Sequence, residues 1–506
     1  MKGWGDTGPR SRWGGLLRGS LAISAGFVLF RFLLTPVRMQ VLTRVLTPEA
    51  YGVVTLLSMT ASALAMILSA GGFEWLLRCL PAADPQGQLR AFRSVFTVSS
   101  ALIILSCGVV LAVPESWFSV VSGGGTVSRP AVAVMFLLFM HIHQRLYYLL
   151  GCRRHFQARI TQLLWSDAWF LAVIPWGLAA VWTAEHAVWA WCLWLAVVVL
   201  VTGRWVPVWR LWSVSGGAGM LGRMLGVGLP MMPVLLAEWM FRLVGQYVLL
   251  VRIDAGTMAL YALAFNIAGI GYVVGVPLID ALTTEFNAVR GTGGGADDPL
   301  IREAARRIIS RAVRFVLAVS VPAGLAFIFL AEPVVRLLAG PAFAPTAGLL
   351  PWTAVIPGFL LMNLLLARLL LADGRSGSVG VISLAGGLVA LGLCLPWVDR
   401  FGARGALAAV TVGLVLTSGG MGWHAKLSRW LHPGELRGMR MIAGTFLLAV
   451  VFAVLGWCAA LPMVRLALAC GVTVVVLIGS GWVRLADFPK ADHAAFRPGP
   501  EGVADA

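Results

Sequence analysis

Charge is what this chain has least of. Asp, Glu, Lys and Arg make up 12% of its 506 residues, about half the share of an average soluble domain. Such a surface cannot stay hydrated, and a water-soluble enzyme or scaffold is excluded for most of the chain. Acidic residues are the scarcer sign, 22 against 39 basic ones. Cysteine is sparse too: seven residues (Cys79, Cys107, Cys152, Cys192, Cys394, Cys458, Cys470) lie scattered, mostly inside apolar runs, with no CxxC. Neither a disulfide framework nor a metal site is expected from them, and they read as small buried apolar residues. No small-residue cleavage site follows the first apolar run, so that run is expected to be retained. The GVG and GIG segments sit inside apolar runs without the strand and acidic partner of a nucleotide fold, and carry no dinucleotide signal.

What fills the sequence is long apolar runs, with hydrophobic residues at 59%. A run of about 20 apolar residues at about 1.5 Å each crosses the roughly 30 Å hydrocarbon core. The runs predict an all-α polytopic membrane protein of about fourteen spans. The expected division is a cytoplasmic segment 1–18, a six-helix bundle 19–212, a connector 213–222, a second six-helix bundle 223–426, two further spans within 427–485 and a cytoplasmic tail 486–506. Basic residues are placed unevenly among the loops. With the N-terminus cytoplasmic, 29 Lys and Arg fall on the cytoplasmic side, 7 on the other and three within spans. That is the positive-inside pattern and sets both termini in the cytoplasm. It also explains the basic excess without nucleic acid.

The stretch Leu21 to Gly52, LAISAGFVLFRFLLTPVRMQVLTRVLTPEAYG, organises the rest. Arg31 falls near the middle of its span and Arg38 seven residues on. Residues seven apart share nearly one helix face, so both look into one space about 10 Å apart along the axis. An arginine at mid-bilayer costs about 2.5–3.5 kcal/mol on insertion scales and must face a partner, a wet cavity or an anion. No acid lies within a helical turn of Arg31, and the space is read as a transport cavity for something negatively charged. A weak repeat supports two bundles: VLTRVLTPEAYGVVTL (41–56) leaves the first span much as LVRIDAGTMALYAL leaves the seventh.

Several passages resemble the polysaccharide flippases of the multidrug/oligosaccharidyl-lipid/polysaccharide exporter superfamily. They are Arg44-Val-Leu-Thr-Pro-Glu-Ala-Tyr51-Gly52, Gly71-Gly72-Phe73 with Arg78, Gly226-Val-Gly-Leu-Pro230, Leu338-Ala-Gly340-Pro-Ala-Phe343-Ala-Pro-Thr-Ala and Phe401-Gly402-Ala-Arg-Gly405-Ala-Leu-Ala408. Each is short, but their order spans roughly residues 16 to 485. The resemblance implies two six-helix bundles around a central cavity, and movement of lipid-linked oligosaccharide from the cytoplasmic to the outer leaflet by alternating access. It further implies a bacterial inner-membrane location, a role in cell-surface polysaccharide biosynthesis, and polysaccharide polymerase and glycosyltransferase partners beside membrane lipids. No enzyme activity and no cofactor are expected, and a proton or sodium gradient would drive the cycle.

A polyprenyl diphosphate carries two phosphates past the membrane centre, and arginine offers phosphate oxygens a permanent bidentate donor. Arg31, Arg38 and Arg242 are therefore the candidate diphosphate ligands. Arg242 has a bland alternative, since Glu238 stands four residues before it in the favourable orientation for a helical ion pair. Glu238, Asp280 and Asn266 are the candidate ion-coupling residues, with Glu74, His141, His143 and Asp167 also titratable inside the runs. Late in the seventh span the family's charged pair is replaced by Gln246-Tyr247, so its coupling scheme does not transfer. The 21 tryptophans, many at predicted span ends (Trp117, Trp165, Trp182, Trp205, Trp397, Trp482), are expected to form interfacial belts. The rival readings are a lipid II flippase, a cation-coupled multidrug exporter and, more remotely, a membrane polysaccharide polymerase or ligase. Arg31 argues against the exporter and the short outward loops against the enzyme.

Overall fold

The computed structural model describes residues 26–27, 30–31, 33–121, 126–173, 182–206, 208, 211, 218–290, 299–372, 375–425, 468–469, 471–473 and 475–476. The N-terminal segment, most of the connector, nearly all of the two expected C-terminal spans, Trp482 and the tail lie outside them. Among the described residues the chain is almost entirely helical, and ten helices are long and apolar enough to cross a bilayer. This is a polytopic, multi-pass membrane protein.

The first half comprises α1 (33–45, with helical residues 30–31 before it), α2 (Pro48–Leu68), α3 (Gly72–Cys79), α4 (Pro85–Ala112), α5 (Glu115–Val121), α6 (Arg129–Gly151), α7 (His155–Ser166) and α8 (Ala184–Gly203). The second comprises α9 (Ala218–Gly228), α10 (Met232–Arg252), α11 (Ala255–Arg290), α12 (Pro299–Phe329), α13 (Ala331–Leu338), α14 (Ile356–Ala372), α15 (Ser376–Phe401) and α16 (Ala403–His424). Helix starts follow local chemistry. Thr47 accepts from Ala50 N ahead of Pro48, Asp84 from Gly87 N ahead of Pro85, and Thr183 from His186 N. Each satisfies an orphan amide at a membrane edge, worth about 1 kcal/mol.

In the first half α6 is central, packed by α2, α4 and α8; in the second, α15 lies between α10 and α16. The halves meet mainly where α2 runs along α11 and α10. Gly52 makes the close approach: a Cβ there would sit 2.9 Å from Ala259 Cβ, so α2 meets α11 nearly backbone to backbone. Outward faces of α4, α8 and α15 expose Leu105, Leu200 and Val381, as lipid contact requires.

Two spans break where the sequence predicts continuous helices, and the ninth is continuous with the helical segment before it. The fifth is α-helical only to Ser166 and goes on as a 3-10 turn, Ala168–Ala172. The seventh is α9 and α10 joined through a 3-10 turn at Leu229–Met231, because Pro230 and Pro233 withhold amide protons. The polar segment before the ninth span is the opening of the continuous helix α12. Tryptophan belts form only in part. Trp117 is 73% exposed, whereas Trp182 is buried and its backbone bridges to Leu46.

Candidate functional site

Arg31 and Arg38 do share one face of α1, and the space they look into holds a carboxylate. Arg31 Nε donates to Asp167 Oδ2 at 2.6 Å and Arg38 Nη1 to Asp167 Oδ1 at 3.1 Å. Thr35, midway between the arginines, donates to Oδ1 at 3.3 Å, and Ser166 Oγ to Oδ2 at 2.5 Å. Asp167 is fully buried, while Arg31 and Arg38 keep 16% and 20% of their side-chain surface exposed. The expectation of an unpartnered Arg31 is thus corrected: its acid lies 136 residues away in sequence.

Asp167 stands where α7 ends, and that break creates the remaining contacts. Carbonyls in the last turn of a helix have no intrahelical partner. Here the Ser166 carbonyl accepts from Arg38 Nη1, and the Leu164 carbonyl accepts from Trp194 Nε1 at 2.7 Å. A guanidinium at a helix C-terminus also meets the negative end of its dipole. Depth follows from counting. Asp167 lies twelve residues beyond the start of α7, about 18 Å, and Arg38 eight residues before Leu46, about 12 Å. Together these equal one hydrocarbon core, so the cluster falls near mid-bilayer if the start of α7 and Leu46 lie at opposite membrane edges, as the sequence expects. Two guanidinium groups against one carboxylate leave a surplus of about one positive charge in a region of low dielectric.

Arg242 lies apart from this cluster. It pairs with Glu238 at 3.2 Å, one helical turn away, and its guanidinium lies 5.0 Å from the Tyr272 ring centroid and 5.7 Å from that of Trp239. The helical ion pair is realised, with two aromatic faces added. Glu238 and Tyr272 border a cavity of about 80 Å³ inside the second half, together with Asn363, Ser383 and Thr417. Asn363 Oδ1 accepts from Ser418 Oγ at 2.5 Å, leaving its buried amide nitrogen without a partner.

Of the candidate coupling residues, Asn266 does not join Glu238. Its amide donates to Tyr51 OH at 3.3 Å, tying α11 to α2. Asp280 falls in a stretch of α11 whose side chains lie outside the described residues. His141 and His143 point apart as their spacing predicts, His141 Nδ1 being 2.8 Å from Gln144 Oε1 and His143 Nδ1 2.8 Å from the Phe139 carbonyl. Among the described residues no three of His, Cys, Asp or Glu gather as metal ligands. Sequence reasoning missed Asp167 as the partner of the arginines. The signal was present: it is a lone acid inside an apolar run, at the same depth as two unmatched bases.

The halves touch at both ends of the bundle. At the α1/α2 end the Gly340 amide donates to Thr43 Oγ1 at 2.9 Å, Gln40 Nε2 donates to the Leu337 carbonyl, and Tyr51 meets Phe343 edge to face at 5.3 Å. At the α2/α3 end, Gly71 (φ +71°) lies against Gly228, a Cβ on either falling within 2.2 Å of the other segment's backbone, and Glu74 pairs with Arg368 at 3.7 Å. Between them Thr60 Oγ1 and Tyr247 OH are 2.8 Å apart.

No protein-family model matches the sequence, and no curated protein does. Solved structures match its fold. An inward-facing multidrug resistance MATE family transporter of the MOP superfamily superimposes with a TM-score of 0.63 at 19% identity, over 79% of this chain and 94% of that one. The lipid II flippase MurJ, in an inward closed conformation, gives a TM-score of 0.65 at 11% identity, over 91% of this chain and 97% of that one. An outward-facing MATE family transporter of the same superfamily gives 0.55 at 16% identity, over 82% and 95%. At these identities the likeness is one of fold, and it spans the transporters' full length.

Proposed function

We propose that this chain is an alternating-access flippase for an anionic lipid-linked sugar, a polyprenyl diphosphate oligosaccharide, delivering it from the cytoplasmic to the outer leaflet. One observation carries the reading: two arginines on one helix face share a single buried carboxylate, two positive charges against one negative, and both keep part of their side-chain surface exposed. Guanidinium suits phosphate oxygens there. A flippase needs such a charge at the depth where the headgroup is farthest from water, and an exporter of cationic drugs would be hindered by it. The fold shared with MATE transporters and with MurJ supports alternation between two halves, and lipid II would satisfy the same chemistry. The basic residues favour cytoplasmic termini, which turns the α1/α2 end outward. Arg242 has a weaker claim on the cargo, being paired with Glu238 and two rings. Glu238, at its small cavity, is the best placed residue to couple the cycle to a proton or sodium gradient. A bacterial inner membrane, with polymerase and glycosyltransferase partners, is the setting this cargo implies.

The test is flipping of a polyprenyl diphosphate oligosaccharide in reconstituted vesicles, comparing the parent with Arg31→Ala and Arg31→Lys. The alanine variant should lose transport at least about tenfold, the value of one charge-assisted contact. Lysine, a point charge without the fork, should recover only part. Parental flipping by Arg31→Ala would overturn the reading.

A further inference from the structure

We propose that Asp167 is a built-in counter-anion, a positioning residue that holds Arg31 and Arg38 in the empty carrier and is exchanged for a cargo phosphate on loading. This rests on reading the two arginines as the anion site.

Four features of the cluster lead there. A carboxylate offers guanidinium groups two oxygens in nearly the geometry that a phosphate does, and Asp167 uses both, Oδ2 on Arg31 and Oδ1 on Arg38. The accessible side of the cluster belongs to the arginines, because the carboxylate has no exposed surface while each guanidinium side chain has some. An arriving anion therefore meets the bases first and competes with the acid from the far side. Next, the carboxylate keeps donors of its own, Thr35 and Ser166. Release from the guanidinium groups does not leave it without hydrogen bonds, which lowers the cost that exchange must draw from phosphate binding. Finally, Asp167 is the residue at which α-helix gives way to 3-10 helix, with φ −118° and ψ −31°. Such a change within a helix often coincides with a hinge or with local strain.

The exchange has a mechanical consequence. Arg38 binds the Ser166 carbonyl as well as Asp167, so turning toward a phosphate frees both the acid and the helix end. Trp194 continues to hold the Leu164 carbonyl from α8. The segment past Leu164 is thereby left with the Thr35 hydrogen bond as its remaining side-chain tie to α1 and gains freedom there, while the rest of α7 stays docked. Loading is converted into loosening of one defined joint, and only a ligand able to replace a carboxylate can cause it.

A purely structural ion pair predicts the opposite response to ligand, and this separates the two. Purified full-length protein in detergent is titrated with geranylgeranyl diphosphate as the probe, using parent, Arg31→Ala and Asp167→Asn. Arg31→Ala should weaken binding tenfold or more. Asp167→Asn, which keeps the shape but removes the competing charge, should tighten it on the order of tenfold. In the parent, which needs no variant to fold, hydrogen exchange in peptides covering 160–172 should speed up when the probe is added. If Arg31→Ala loses binding while Asp167→Asn binds no tighter than parent, or exchange in 160–172 is unchanged or slowed, the counter-anion is refuted and the anion site stands. If the parent does not bind the probe, or Arg31→Ala binds as well as parent, the functional reading fails and the exchange fails with it.

Discussion

Replacing Gly228 with alanine should hold the mouth at the α2/α3 turn open. A Cβ on Gly228 would lie 2.2 Å from the Ala70 carbonyl oxygen and 2.9 Å from Gly71 Cα. Both are backbone atoms and cannot rotate away as a side chain could. Comfortable heavy-atom contact begins near 3.5 Å, so the two segments would have to part by about 1 Å. Gly228 itself has φ −76°, a conformation any residue adopts, so the substitution carries no strain of its own. Gly71, at φ +71°, would add a left-handed penalty and is the less clean choice. Overpacking of this kind costs about 1–3 kcal/mol, and because the contact joins the two halves the cost falls on the state in which they touch. The equilibrium should therefore shift roughly 5- to 150-fold toward opening at this end. Spin labels at Gln86→Cys and Gly377→Cys would read it, since both sites are exposed on this side and a side chain at 377 meets nothing within 4 Å. The long-distance population should rise and flipping should fall in proportion. A distance distribution and a flipping rate equal to the parent's would refute the assignment of this contact as a closing surface.

Thr43→Val should bias the opposite mouth: the buried Gly340 amide loses its acceptor, at about 1–3 kcal/mol, so labels at Trp117→Cys and Phe401→Cys should move apart while the Gln86/Gly377 pair does not. Glu238→Gln removes the charge of a half-buried helical pair but keeps its size and an oxygen that can still accept from Arg242, so thermal unfolding should change little, but flipping driven by an imposed proton or sodium gradient should fall to the rate without a gradient; retained stimulation would remove Glu238 from coupling. Burial pushes the Cys79 thiol, at the end of α3, up to about 11. The thiolate reacts with maleimide, so labelling of a variant retaining Cys79 alone should be about 100-fold slower at pH 7 than a free thiol and rise about tenfold per pH unit up to that value; a plateau near pH 9 would contradict the burial.

What could be read in the sequence and what could not divide along one line. Apolar runs and the common face of Arg31 and Arg38 depend on neighbours within a turn or two, and both were legible. The partner of the arginines was not, because Asp167 lies on a helix reached only after three further crossings of the bundle. Its charge and depth were visible while its azimuth was not. The same holds for Gly71 and Gly228, whose small size signals close packing without saying against what. Trp182 misled for a related reason: indole at a span end fits an interface equally well as a plug against Leu46, and tertiary context decided. The contact between Glu238 and Arg242 was legible because an i,i+4 pair needs only its own helix.

That the halves meet at both mouths carries a kinetic consequence. If each door opens only while the other is shut, there is no stage at which solutes stream through, and flux is counted in whole cycles rather than in ions per open moment. Rearrangements of this size take microseconds to seconds, which sets a ceiling on throughput that tighter cargo recognition cannot lift. For the flippase proposed above, faster delivery would take more copies, and the bilayer holding them would not leak its ion gradients through a protein waiting for cargo.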